Sequence, residues 1–444
     1  MKSVWNETCS FPRREPLHGD FVTEAVVIGS GIAGILTASM LQKQGIRVMV
    51  LERGRTAAGV TGNTTAKITS QHGLIYSRLI REFGPELAAQ YAWANQRAVK
   101  SYRELISGQK IDCDYEEKSA YVYTLRDEKA VEDEANAAQK LGIESEYVES
   151  LPELPFKVRA AVRFEHQAQF HPLEFLKALS SGLNIYEDTT VFDVRDDVVL
   201  TDKGRVTADH IIVATHFPII DIPGWYFARM HQERSYVLAL ENAAQINGMY
   251  LDEDEQGCSL RSWRNLLLLG GAGHRTGKHP QTSCYDQLRR AAAAFYPQSR
   301  EVCRWSSQDC VTWDGIPYIG RYSSSARRLY VATGFQKWGM TTAMAAAELI
   351  TDLVMGRENN CSEIFSPRRF RASASMKKMM ADAGCSAAGL AAGLFAPSHR
   401  CSHLGCGLQW NEEEETWDCP CHGSRFTADG KPIDTPAIKG LRHG

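Results

Sequence analysis

The chain has 444 residues, about three times an average domain, so two or three domains are expected. It is 43% hydrophobic and 23% charged, as in an ordinary globular protein, and 50 basic residues against 53 acidic ones leave a net charge of −3. That balance removes the usual reason to expect nucleic acid or an anionic membrane as partner. The longest apolar run, 387–397, is too short to span a bilayer. The first twenty residues carry no apolar core like that of a secretory signal, so a cytoplasmic enzyme without a membrane span is expected.

In chain order, 24–28 reads as a short buried strand, followed by Gly29, Gly31 and Gly34 at G-x-G-x-x-G spacing and by helical periodicity over 32–43. A second apolar strand, 47–51, is closed by Glu52, eighteen residues after Gly34. This is the opening βαβ unit of a dinucleotide-binding fold. The first glycine allows the tight turn, the second lets backbone approach a pyrophosphate, and the third lets helix pack on strand. A carboxylate at the second strand's end can accept from a ribose hydroxyl. Next, 59–73 (GVTGNTTAKITSQHG) is dense in small hydroxyl side chains with one lysine, suited to a further phosphate or flavin contact. Helices are expected over 74–106, 128–141 and 171–183, and strands over 120–124, 189–194, 198–200 and 210–214. Strands at 230–240 and 265–269 suit a second, antiparallel domain. The stretch 318–355 returns to α/β character, with Gly334 and Gly339 bracketing FQKW before a helix. The first domain is therefore discontinuous. Gly270–Gly273 precedes His274, Arg275 and Lys278 instead of an apolar helix, so it reads as a loop and not as a second nucleotide site.

Of twelve cysteines, eight are scattered singly and four crowd the last tenth of the chain with two histidines. Cys401-x-His403 and Cys419-x-x-His422 stand fifteen residues apart, the spacing of a Rieske [2Fe–2S] centre, with two thiolates on one iron and two imidazoles on the other. Two cysteines and two histidines would also satisfy tetrahedral zinc. Cys406 and Cys421, which zinc does not need, stand against that alternative.

Together the glycine fingerprint with Glu52 and Arg53, the 59–73 loop, Asp314-Gly315-Ile316-Pro317 with Ile319-Gly320, and ATGFQKWGMT at 332–341 resemble FAD-dependent oxidoreductases of the D-amino-acid/glycine oxidase class. More narrowly, they resemble the bacterial subgroup with a C-terminal Rieske domain. The resemblance implies an α/β fold: a discontinuous Rossmann-like FAD domain (about 20–75, 155–215 and 265–357) and an α+β substrate domain (about 76–154 and 216–264). A linker with a weak helix (358–397) and a Rieske subdomain (398–444) would follow. It also implies that Gly29, Gly31, Gly34, Glu52 and Arg53 hold the adenosine diphosphate half of FAD. Thr61, Thr64, Thr65 and Lys67 would line the flavin side, Val191 would meet adenine, and Gly334, Gly339, Met340 and Thr341 would cap the pyrimidine end. HLGC and CPCHGS are similar to the cluster loops of cytochrome-bc-type Rieske proteins. That likeness implies a Cys406–Cys421 disulfide and a Ser424 hydroxyl donating to a cluster sulfur. Phe426 stands where a hydroxylated ring often adds a donor, so an intermediate potential is implied.

Only forty-three residues separate Arg357 from Cys401, without strand alternation, so the Rieske base is expected to be truncated and to need the flavoprotein surface or a second subunit. The expected chemistry is oxidation of a small molecule, an amine or amino acid, by hydride transfer to FAD. One-electron transfer through the cluster to a protein or quinone acceptor would follow. Lys67 is the catalytic candidate, as a charge near the flavin, with a phosphate or surface lysine as the alternative. Arg234 and Tyr236 are candidates for clamping an anionic substrate or for cross-strand packing. His72 reads as a loop-packing residue and Trp338 as a neighbour of the flavin ring. The competing functional reading is a redox relay or sensor with no metabolite substrate. A Rieske oxygenase would need a mononuclear iron, for which His166 and His171 with Glu165, Glu174 or Asp193 are the loose candidates.

Overall fold

The computed structural model of the protein describes residues 2–278, 280, 282–395 and 399–441. The expected linker and Rieske subdomain extend onto 396–398 and 442–444, which lie outside the described residues. The first layer is a sheet whose parallel core runs Leu329–Thr333, Gly204–Val213, Phe21–Ile28, Val48–Leu51, Asn184–Tyr186. Tyr318–Arg321 adds an antiparallel edge, and Val191–Arg195 with Val198–Thr201 forms a hairpin beside it. Val26, Val27, Val50 and Ile212 are fully buried because this sheet is covered on both faces. Helices Ile32–Lys43 and Gly339–Val354 pack there, and both are rich in small and aliphatic residues that let helix and strand approach closely.

The second layer is a mixed nine-stranded sheet. Its order is Arg300–Thr312, Met230–Glu241, Leu266–Arg275, Ser259–Trp263, Gly248–Asp252, Glu116–Thr124, Ala160–Gln169, Lys67–Ile68, with Ser145–Val148 beside Ala160–Gln169. Four strands therefore leave the expected partition. Lys67–Ile68, Ala160–Gln169, Leu266–Arg275 and Arg300–Thr312 belong to this sheet, although the expected nucleotide-binding unit includes their segments. The strand expected at 265–269 is Leu266–Arg275, paired antiparallel on both sides and covered by helix Cys284–Phe295, which accounts for its apolar run. Gly270–Gly273 continues that strand and does not form a loop. The expected 74–106 helix is two helices, Tyr76–Phe83 and Pro85–Gln109, divided at Gly84 (φ +88°) before a proline at the helix start.

The C-terminal unit is a four-stranded antiparallel meander of Gln409–Asn411, Thr416–Asp418, Arg425–Thr427 and Pro432–Asp434. Ahead of it, in place of a basal sheet or a loose linker, stands the 24-residue helix Ala372–Phe395. Its glycines meet the ligand loops. Gly407 N–H donates to the Gly389 carbonyl (2.8 Å), and a methyl group at Gly389 or Gly393 would overlap Cys421 Sγ or the Gly405 carbonyl. Alanine and glycine spacing that looks like weak helix propensity is what permits backbone-close docking. No described helix is long and apolar enough to cross a membrane.

Candidate redox site

A cavity opens where Ile28, Leu51, Ala214 and Thr333 end the parallel strands, the usual position for a nucleotide in such sheets. Gly29 (φ +105°) makes the turn there, because a side chain would run into the Ala214 carbonyl. Gly34 lies off the cavity wall, where any Cβ would overlap the Gly29 carbonyl, so its part is helix–strand contact. Gly31 ends the turn before helix Ile32–Lys43, whose first N–H donates to Thr61 Oγ1 (3.0 Å). Glu52 Oε2 accepts from Ser30 N–H (2.9 Å) and Ser30 Oγ–H (2.8 Å), and Oε1 from Gly54 N–H (2.9 Å). The carboxylate is thereby locked at the cavity wall with acceptor capacity to spare.

Thr64, Val191, Gly334, Gly339 and Met340 also line the cavity. Thr65 and Thr341 do not; the Thr341 hydroxyl bonds to the Thr69 carbonyl and to His72. His72 is a buried packing residue, bonded to Tyr91 and stacked on Trp338 at 4.9 Å, and burial pushes its pKa down to about 3. Lys67 departs most from expectation. Its strand pairs with Ala168 and Gln169, and Nζ donates to the Tyr250 carbonyl (3.1 Å) and Ser259 Oγ (2.6 Å), off the cavity wall. Burial and the nearby Arg261 lower its pKa to about 7.

The cavity has charged lining that sequence reasoning missed. Burial pushes the Asp309 carboxyl up to about 7, and Lys337 reaches Glu233 at 3.2 Å. Burial opposes ionisation of Glu233, but the His231 hydrogen bond and the Lys337 charge outweigh it and hold the carboxyl at about 2. Lys337 belongs to the FQKW stretch, but no motif marks Asp309 or Glu233, which only strand pairing brings beside it. The cavity roof is C-terminal: Ile433, Asp434, Thr435 and Ile438 line it, and Arg53 Nη2 donates to the Ile433 carbonyl with Nη1 left buried and unpartnered.

At the cluster loops, Cys401 and Cys419 are buried and hydrogen-bonded to each other, which lowers the pKa of Cys401 and raises that of Cys419. The His403 and His422 rings face each other at 5.2 Å and 89°. Both Nδ1 atoms are buried without a partner. His403 Nε2 bonds Asp221 Oδ1 (3.0 Å), which fixes the tautomer and leaves the Nδ1 lone pair free. Burial first, then His403, holds His422 near 3, neutral and competent as a ligand. Two buried thiols on adjoining loops and two orphaned imidazole nitrogens are the donor set of a [2Fe–2S] cluster with mixed ligation. Cys406 and Cys421 are disulfide-bonded. The Ser424 hydroxyl lies within hydrogen-bond reach of Cys401 and also accepts from Ala437 N–H (3.1 Å). His166 is exposed beside Glu117, while His171 caps helix Pro172–Ser180 and bonds Thr8, so these two histidines build no common site.

The cluster loops rest on the second sheet. Gln232 Nε2 donates to the carbonyls of His422 and Thr435 (2.7 Å each), and Gln308 Nε2 to that of Gly423 (2.8 Å). Arg234, a substrate-clamp candidate on sequence, is turned to Glu414 and Ser306 and anchors the C-terminal unit instead, with Tyr236 against it. Buried pairing with a carboxylate from another unit cannot be read from local sequence.

Two family models match the chain: FAD dependent oxidoreductase over residues 24–353 and Rieske [2Fe-2S] domain over 390–443. The chain belongs to the FAD-dependent oxidoreductase family. It binds FAD and carries a Rieske [2Fe–2S] domain. It is 36% identical to the Rieske 2Fe-2S iron-sulfur protein YhfW of Bacillus subtilis (strain 168), over 99% of this chain and 97% of that one. Gamma-glutamylputrescine oxidoreductase of Escherichia coli (strain K12) is 23% identical over 77% of this chain and 86% of its own. Among solved structures, glycine oxidase from Geobacillus kaustophilus superposes with TM-score 0.67 at 21% identity, covering 79% of this chain and 99% of that one. That likeness shows the fold. The protein is thus a flavin-dependent oxidoreductase of amine or amino-acid oxidase type with an appended Rieske domain.

Proposed function

We propose that the protein oxidises a small amine or amino acid at this cavity and sends the electrons singly through its own C-terminal cluster to a protein or quinone acceptor. FAD supplies two-electron acceptance and the cluster one-electron carriage. Gly29, Gly31, Glu52, Arg53 and Val191 would hold the adenosine diphosphate half, with Gly34 keeping helix on strand. Thr61, Thr64, Gly334, Gly339 and Met340 would hold the flavin half. Cys401 and Cys419 would bind one iron, His403 and His422 the other.

One observation carries this reading. Strand Arg300–Thr312 turns Ser307 and Asp309 into the cavity and Gln308 onto the cluster loop at Gly423. Alternate side chains of a strand point to opposite faces, so a single strand layer separates the two redox sites. Gln232 and Gln308 hold that contact by binding each other (2.9 Å) as well as the loop carbonyls. Ile433, Asp434, Thr435 and Ile438 of the C-terminal unit line the same cavity. Amine relatives support the substrate class, since gamma-glutamylputrescine is itself an amine.

The test is anaerobic mixing of the holoprotein with a panel of amines and amino acids, following flavin absorbance and the electron paramagnetic resonance of the cluster. Bleaching by a panel member with reduced cluster appearing in step is expected. Silence across a broad panel would leave a relay between protein partners as the better reading.

A further inference from the structure

A file of charged groups, open to the cavity side at Lys337 and buried at His231 and Asp382, leads from the cavity to the outer helix. Lys337, on the cavity wall, pairs with Glu233 Oε2 at 3.2 Å. Glu233 Oε1 lies 3.3 Å from His231 Nε2, and His231 Nδ1 lies 2.9 Å from Asp382 Oδ2. Asp382 also accepts from Trp313 Nε1 (2.9 Å) and pairs with Arg275. It is carried on helix Ala372–Phe395 between exposed neighbours, Ala381 and Ala383. His231 and Glu233 share one face of their strand as i and i+2 neighbours. Nothing in the folding of the sheet requires this row of titratable side chains; at His231 and Asp382, which are buried, apolar groups of similar size would pack at lower desolvation cost.

We propose that Lys337, Glu233, His231 and Asp382 form a proton exit from the flavin cavity, with His231 as its central carrier. The inference rests on the oxidase reading above. Oxidising an amine to an imine removes two electrons and two protons. The electrons go to two equivalents of a one-electron acceptor, and both protons have to leave the cavity for solvent. His231 takes a proton on Nε2 from the Glu233 side and releases one from Nδ1 to Asp382, so no net charge is left in the file.

The electrostatics agree with a proton resting on His231. Burial opposes its charge, but hydrogen bonds to Asp382 and Glu233 outweigh burial and raise its pKa. The charged groups around it are Glu233 on its own strand, Asp382 on the helix and Arg275 on the adjacent strand, with Lys337 and Asp309 beyond Glu233. Arg275 is fixed by the carbonyls of Pro420 (3.0 Å) and Cys421 (2.9 Å) and cannot swing in to replace the histidine.

Substrate-free holoprotein, reduced with dithionite and mixed with ferricyanide by stopped flow in H₂O and in D₂O, tests the file. This reoxidation requires proton release whether or not electrons pass through the cluster, so failure of the exit is separable from failure of the oxidase reading. His231→Ala is expected to slow reoxidation on the order of tenfold or more, with recovery on adding imidazole, which a purely structural role would not allow. Glu233→Gln keeps the shape of the site, so it tests the file even where His231→Ala folds poorly. It should slow the reaction similarly, without imidazole rescue. Wild-type rates in both variants, or a slow His231→Ala indifferent to imidazole, would overturn the proposal.

Discussion

The helix ahead of the cluster domain makes a prediction whose sign opposes ordinary helix propensity. An alanine replacing glycine inside a helix normally stabilises it by about 1 kcal/mol. Gly384 is exposed with nothing within 4 Å of where its Cβ would lie, so Gly384→Ala should show that gain. Gly393 lies nine residues later in the same helix, but there a methyl would overlap the Gly405 carbonyl and come within 3.0 Å of Gly407 N. Those are backbone atoms on either side of the disulfide cysteine Cys406, so no rotamer change relieves the contact. Overpacking of this kind costs about 1–3 kcal/mol. Set against the propensity gain, Gly393→Ala should destabilise by up to about 2 kcal/mol, leaving about 1–3 kcal/mol between the two variants. Denaturant unfolding of the holoprotein, followed by visible circular dichroism of the cluster, reads the difference directly. Equal stabilisation by both substitutions would refute the docking of this helix on the ligand loops.

Glu52→Gln should weaken FAD retention by about tenfold or more, equivalent to about 1.4 kcal/mol, because an amide cannot accept from Ser30 and Gly54 on both atoms; flavin released on gel filtration measures it. Cys419→Ser should abolish bound iron and sulfide while the yellow chromophore stays, since Cys419 does not line the cavity; metal analysis beside the flavin spectrum checks this. Asp309 holds its proton to about 7 in the folded state, against an ordinary carboxyl of about 3.9 in the unfolded chain. The folded state binds the extra proton between those values, so this group's contribution to stability falls as pH rises from about 4 to about 7. Asp309→Asn should therefore gain stability relative to wild type across that window, and thermal melts at pH 5 and pH 8 would show the gap widening upward. A constant gap would mean the group ionises normally.

Chemistry written in short spacings was legible from the chain alone. Three glycines, a terminal acid and a pair of Cys/His loops each act within a few residues of backbone, so their geometry follows from local turns and helix starts. The α/β class, the second sheet domain and both prosthetic groups could be read in the same way. Which side chains face which site could not. Lys67 lies in a loop of suitable composition, yet pairing with Ala168 and Gln169 turns its ammonium to Tyr250 and Ser259. Arg234 has the chemistry of a substrate clamp, yet its partner Glu414 is 180 residues away. Asp221, which steadies a ligand histidine, and Asp309, which charges the cavity, carry no motif. A strand's alternation makes every second residue equivalent until pairing decides what each face meets. That choice is made by contacts between distant segments, and it decided how close this protein's two redox sites lie.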